Sequence, residues 1–299
     1  MERKHSYRKL QKLGGSLVIS LPKQWADNYE LEAGSTATIE VQDNGTLLIF
    51  PNKEKEKEKT GKHETVLEAD EYVIWALLKL SLAGQTKITI MSDTEINKVL
   101  RKYIRKYVNR LPNTEIIEET NQKIIVQNFG YKEIPTKKLI QRLLYLVANM
   151  FQDLENKSID DLSDNFEQLR KFYFILVIHI RTYLRTGVYI SSSSEFTPLE
   201  AMDYRMFCEK IQEIGEILKD LRLNNKVLNF YRDVKQYFDE VMRAFLQKDD
   251  KLAFIVWIKK DKLFSKADEI LKNLSYENKE KIKNLMRIAQ NIKDMAALI

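Results

Sequence analysis

Between the first residue and Lys23 the chain carries Arg3, Lys4, Arg8, Lys9, Lys12 and Lys23 against a single acid, Glu2. Guanidinium and ammonium groups gathered without counter-charge suit contacts to phosphate oxygens, and each such contact releases a counterion from a nucleic acid. The formal charge of +6 on 299 residues carries less information than this placement, because a small excess spread along a chain is an ordinary solvated surface.

Other reactive side chains are few. Cys208 is the one cysteine, so no intrachain disulfide and no cysteine-based zinc site can form, which fits a reducing compartment. His5, His63 and His179 are scattered; His179 lies inside an apolar helical run and reads as a packed histidine. Cys208 shares a helix with Ile211 and reads as buried and inert. Asp203 and Arg205 read as a helix-surface pair, with a ligand-holding role as the other reading. There is no glycine-rich phosphate loop, nucleophile elbow or histidine–carboxylate zinc motif, so no enzymatic activity and no cofactor are expected. The longest apolar run, residues 172–180, is far too short to span a bilayer and reads as core. No signal-peptide pattern follows the N-terminal charges. A cytoplasmic protein without membrane insertion is expected.

The elements that must position the basic residues form a small β-rich unit. Residues 7–12 read as a first strand, Gly14-Gly15 as a turn and residues 16–21 as a second strand. Pro22 opens a short helix over 23–29. Gly34 marks a turn, residues 36–41 alternate as a strand, and Asp43-Asn44-Gly45 turns into a last strand at 46–50. Ser16 is read equally as a phosphate donor or a turn cap. Trp25 is a base-stacking aromatic or, the preferred reading, a core position. The following NKEKEKEKTGK is a charged linker or helix extension rather than a basic tail, since Glu54, Glu56 and Glu58 interrupt it.

Beyond the linker, apolar spacing predicts a helix over 70–83 ended by Gly84, a strand at 87–91, a helix capped by Asp93 and running to Leu111, and a hairpin of 115–118 with 123–127. From Pro135 onward the chain reads as helices over 136–155, 160–186, 198–221, 225–247, 249–273 and 277–297. Gly187 and the serines at 191–194 are taken as the break between two groups of three. Hydrophobic residues at 44% and charged at 31%, with only nine glycines and five prolines, suit such a helix-rich chain.

Residues 8–51, RKLQKLGGSLVISLPKQWADNYELEAGSTATIEVQDNGTLLIFP, closely resemble the AbrB/SpoVT/MazE module. The order of parts carries the likeness: a basic first strand, a Gly-Gly-Ser turn, an apolar strand ending in Leu-Pro-Lys, a short helix with Trp25, then Leu31-x-x-Gly34 and a final hairpin ending at Pro51. The resemblance implies an intertwined swapped-hairpin β-barrel dimer that grips DNA. Size agrees independently, because about fifty residues bury little core alone and two interleaved copies share one. Pairing also sets two basic strands side by side. The expected DNA contacts are Arg8, Lys9 and Lys12, flanked by Lys4 and Lys23.

Residues 66–299 resemble PhoU-like domains, especially archaeal AbrB–PhoU fusions. EIIEETNQKIIVQNF (115–129) is similar to the hairpin before their first bundle helix, LEAMDYRMFCEKIQEIGEILKDL (199–221) to their MDYR-containing helix, and RIAQNIKDMA (287–296) to their last helix. The family carries paired E-x-x-x-D motifs for metal clusters. At the matching positions this chain has Gln212 with Glu216, Met286 with Gln290, and Gln168 with Arg170 near Glu167 and Asp164. Amides, a thioether and a guanidinium do not supply the anionic oxygens hard cations require. A metal cluster is therefore not expected, although the remaining carboxylates leave room for one weakly held ion.

The expectation is thus an α+β multidomain chain: 1–51 an AbrB/SpoVT-like DNA-binding domain, 52–65 a charged linker, 66–130 a mixed α/β subdomain, and 131–299 a PhoU-like pair of three-helix bundles. The function expected is a homodimeric DNA-binding transcriptional regulator linked to phosphate or nutrient status, with an effector or protein partner at the helical domain. The first rival is a PhoU-type adaptor acting on a phosphate transporter or kinase, its N-terminal unit serving to dimerise. The second is a MazE-like antitoxin, against which the long folded C-terminal region speaks.

Overall fold

A computed structural model describes residues 7–41, 47–51, 64–130, 134–186 and 196–299. The chain divides into two units, Met1–Lys62 and His63–Ile299. In the first, β1 (Gln11–Leu13) and β2 (Ser16–Val18) form an antiparallel hairpin with Lys12 opposite Leu17. Gly14 makes the turn at φ +59°, a left-handed conformation that glycine adopts without steric cost. Both strands are shorter than their sequence pattern, since residues 7–10 and 19–21 have no ladder partners among the described residues. Pro22 precedes α1 (Lys23–Asn28). A second antiparallel hairpin joins β3 (Ala37–Val41) to β4 (Leu47–Pro51). The Asp43-Asn44-Gly45 turn and most of the charged linker lie outside the described residues, as do Lys4, His5, His63, Gly187 and the serines at 191–194.

The second unit opens with β5 (Glu64–Glu68), an unexpected strand that spans the end of the expected linker and the first residues of the expected α/β subdomain. It pairs in parallel with β6 (Lys87–Met91), so α2 (Val73–Leu82) is the crossover of a βαβ unit. After α3 (Lys98–Val108), the hairpin of β7 (Thr114–Glu119) and β8 (Lys123–Asn128) completes a sheet ordered β5-β6-β8-β7. Leu77 of α2, Ile88 and Ile90 of β6, Ile104 of α3 and Ile124 of β8 bury one face of this sheet against the two helices. The cap of α3 is Asn97 rather than Asp93: its carboxamide oxygen accepts from the Val99 and Leu100 amides at 2.8 and 3.1 Å. Both residue types cap helices. Burial of Ile96 at 2% exposure fixes the chain just ahead of Asn97 and so selects it.

Six helices follow: α4 (Thr136–Asn156), α5 (Ile159–Thr186), α6 (Pro198–Asp220), α7 (Leu228–Gln247), α8 (Asp250–Leu271) and α9 (Tyr276–Ala296). The start of α6 is a full capping box, Thr197 with Glu200, and has Pro198 in the first turn, satisfying amides that would otherwise be orphaned. Only two of these helices precede 187–195 and four follow, and α6 packs on α9 as closely as on α4, so the expected division into two groups of three does not hold. Within α4–α6 every helix packs on the other two, and the same holds for α7–α9; α4 against α7 and α6 against α9 join the sets in one core. Two buried phenols cross it. The Tyr231 hydroxyl donates to the Phe151 carbonyl, and that of Tyr237 donates to the Val256 carbonyl at 2.6 Å. Gly215 lets α6 approach α5, for a Cβ there would meet Leu169 Cδ2 at 2.2 Å. In the apolar run of α5, Leu176 and Val177 are buried while Phe172–175 are half-buried.

Candidate nucleic-acid interface

From Tyr7 to Gln24 there is no acidic residue. Arg8 and Lys9 lie on the chain leading into β1, Lys12 at the middle of β1, and Lys23 at the first position of α1; all four are exposed. None pairs with a carboxylate among the described residues. Among the described residues their one side-chain polar contact is Arg8 Nη1 donating to its neighbour's carbonyl, Tyr7 O, at 3.2 Å. A cation held by no protein carboxylate loses nothing within the fold when it meets a phosphate. Ser16 is exposed opposite Leu13 on the hairpin. Trp25 is only half-buried, its ring 5.3 Å from that of Tyr29.

The apolar residues of this unit find no core within the unit itself. No described residue of the unit is buried. The β3–β4 ladder sets Ile39 opposite Ile49 and Val41 opposite Leu47, and directly opposed residues share a face. Yet Ile39, Val41 and Leu47 are 59, 74 and 60% exposed, and Leu13 and Leu17 of the other hairpin 71 and 70%. A soluble domain does not leave its strand alternation facing water on both hairpins. The β-branched and leucine positions have the alternation of a core face and are uncovered within this unit. The sequence flagged the small size of this unit but not which face lacked cover.

The positions resembling a metal motif are otherwise engaged. Gln212 Nε2 donates to Glu216 at 2.9 Å and Gln290 Nε2 to Asp294 at 2.8 Å, each along its own helix. Met286 packs against the helical core. Gln168 accepts from Arg142 at 2.6 Å, and the Arg170 guanidinium lies 5.7 Å from the Phe166 ring centre and 3.9 Å from Glu167. Among the described residues no three His, Cys, Asp or Glu side chains gather to hold a metal ion. A polar cleft of about 420 Å³ between α4 and α5 is lined by amides and by Asp153, Asp161 and Asp164. Arg205 pairs with Glu209 at 2.9 Å and not with Asp203. Spacing explains the correction: residues four apart stack on one helix face, residues two apart do not.

Cys208 is fully buried and its thiol pKa is pushed far up by burial. A cluster the sequence did not single out joins α3 to β7. Glu119 accepts from Arg105 at 2.8 and 3.1 Å and from Arg101 at 3.1 Å, and these partners, Arg105 first, hold its carboxyl below the usual range. The only sequence signal was Arg101 and Arg105 four apart on one helix.

No described helix is long and apolar enough to cross a membrane. Residues 10–57 match a family model described as antidote-toxin recognition MazE, bacterial antitoxin. No curated protein and no solved structure matches the chain, and PhoU is not identified in the helical region. The N-terminal hairpins are thus similar to the MazE family over residues 10–57, and a mixed α/β sheet subdomain and a region of six helices follow them.

Proposed function

We propose that this chain is a DNA-binding transcriptional regulator that works as a homodimer through its N-terminal unit. The observation that carries the reading is the acid-free stretch at 7–24, whose Arg8, Lys9, Lys12 and Lys23 are exposed and free of carboxylate partners in a domain of a type that suggests DNA binding. The uncovered apolar faces of both hairpins supply the reason to pair. Two copies close a core that one lacks, and pairing doubles the cationic strand into a two-fold footprint. Backbone contacts set position and a smaller number of base contacts set sequence. Lys4 belongs to the same basic segment by sequence alone.

In this reading the helical region transmits a state to the DNA-binding unit. The link to phosphate or nutrient status rests on the likeness of α6 and α9 to PhoU-like helices, which is an analogy of fold and not of a site. Mapping the DNA fragments that the tagged chain retains from its own genome tests the proposal. Discrete, approximately two-fold sites support it; retention that ignores sequence, or none at moderate salt, refutes it.

A further inference from the structure

Residues 96–114 carry Lys98, Arg101, Lys102, Arg105, Lys106 and Arg110 and no Asp or Glu. Within them Arg-Lys-Tyr-Ile at 101–104 is followed at once by Arg-Lys-Tyr-Val at 105–108. On a helix a four-residue repeat nearly stacks on itself, each position turning by only about 40° from one copy to the next. Helix α3 gives the registers of the repeat different roles. Ile104 and Val108 are buried in the core of the sheet subdomain. Arg101 and Arg105 both donate to Glu119 of β7. Lys102 and Lys106 are exposed, and Lys98, one turn earlier in the same row, is exposed with them.

At about 100° per residue the three lysines span about 80° of the helix circumference, centred about 140° away from the mean direction of Ile104 and Val108. They therefore form one outward row. Among the described residues the ion pairs of α3 are those of Arg101 and Arg105 with Glu119, and the three lysines pair with no carboxylate. Elsewhere the helices neutralise such cations along their own length: Arg205 with Glu209, Lys210 with Glu213, Lys281 with Glu277 and Lys283 with Glu280. Like charges four apart repel and weaken a helix, so the row costs α3 stability until an anion meets it.

The residue types point to the anion. Arginine's planar fork, which suits a carboxylate, is engaged by Glu119, while the outward positions carry lysine, a point charge on a flexible stem. Point charges at steps of about 6 Å fit a polyanion whose charges recur along a rail, and a DNA duplex has a phosphate on each strand every ~3.4 Å of its axis. A bilayer surface fits less well. An interfacial helix sinks its apolar face among the lipids, and that face of α3 is buried in its own subdomain.

We infer that the outer face of α3 is a second DNA-contacting surface, on which Lys98, Lys102 and Lys106 meet backbone phosphates without regard to base sequence. That the polyanion is DNA rests on the proposed function; the surface itself lies outside residues 10–57, which the family model covers.

Fluorescence anisotropy of the full chain on a labelled duplex several helical turns long, at several salt concentrations, tests this. Lys98→Gln, Lys102→Gln and Lys106→Gln together flatten the slope of log affinity against log salt by at least about 2.7, the share of three phosphate contacts. The loss is equal on two duplexes of unrelated sequence, and arginine at the same three positions keeps the slope. Lys251→Gln, Lys262→Gln and Lys272→Gln remove the same charge from the helical region and leave the slope unchanged. All six lysines are exposed, so circular dichroism melts are those of the wild type. A wild-type slope in the α3 variant overturns the inference, and so does an equal loss in the control variant, which would assign the effect to net charge. In either case a slope lost on Arg8→Gln with Lys12→Gln leaves the N-terminal reading standing. A wild-type chain that binds no duplex overturns both. Phosphatidylserine vesicles that retain the wild type and release the α3 variant, with DNA binding the same in each, assign the face to a membrane and overturn the inference as well.

Discussion

Replacing Arg8 and Lys12 with glutamine takes two cations from each chain of a pair. Both side chains are exposed and neither is held by a carboxylate, so the folded state loses no ion pair and its melting temperature stays put. The cost falls on DNA. Each phosphate contact contributes about 0.9 to the slope of log affinity against log salt, so four lost contacts flatten that slope by about 3.6. Taking 1 M salt as the reference where the counterion gain vanishes, the same four contacts are worth about 3.6 log units at 0.1 M, a loss of roughly 4,000-fold. Fluorescence anisotropy of a labelled duplex at several salt concentrations measures slope and affinity together, and circular dichroism melts check the fold. Wild-type affinity and slope in a correctly folded double variant would refute the assignment of this strand to the DNA contact.

Three further outcomes are expected. Val41→Asp places a carboxylate on the uncovered β3–β4 face; Val41 is 74% exposed in one chain, so pairing forfeits about 1–2 kcal/mol per chain, and DNA affinity falls at least about 30-fold, a result contradicted by unchanged anisotropy curves. Gly215→Ala drives a Cβ to 2.2 Å from Leu169 Cδ2; overpacking of about 1–3 kcal/mol outweighs a helix-propensity gain of about 1 kcal/mol, so the melting temperature drops, and a rise would mean that α5 and α6 are not this close. Glu119→Gln removes the partner of Arg101 and Arg105. Because the folded carboxyl is held below its ordinary pKa, its stabilisation is present above about pH 4.3 and is lost as pH falls through the folded value. The melting difference between wild type and variant therefore closes on acidification, whereas a constant difference from pH 7 to 3 would assign it to packing.

The helical half of the fold was legible because its signals are local. Thr197, Pro198 and Glu200 form the start of α6, and Ile282, Leu285, Ile288, Ala289 and Ile292, spaced at helical intervals along the sequence, form the buried face of α9. What escaped was non-local. The strand at Glu64–Glu68 looks like the tail of a charged run and becomes a strand only through its parallel partner β6. Gly187 and the nearby serines are a visible break in composition, but helices group by which faces meet, and here all six share one core. At the candidate interface, the absence of acids around Arg8 and Lys12 could be read directly. Periodicity alone could not tell a buried apolar side chain from an uncovered one. Val41 and Trp257 look like core in sequence and are not covered in the chain.

In the proposed function, two N-terminal units together make one DNA-binding body. Native mass spectrometry of the full chain titrated with a short duplex counts chains directly. The expected species carries chains in pairs on each duplex, with no complex of one chain and one duplex at any ratio. A dominant complex of one chain with one duplex would contradict the claim, because a single copy would then hold DNA with Ile39, Val41 and Leu47 uncovered.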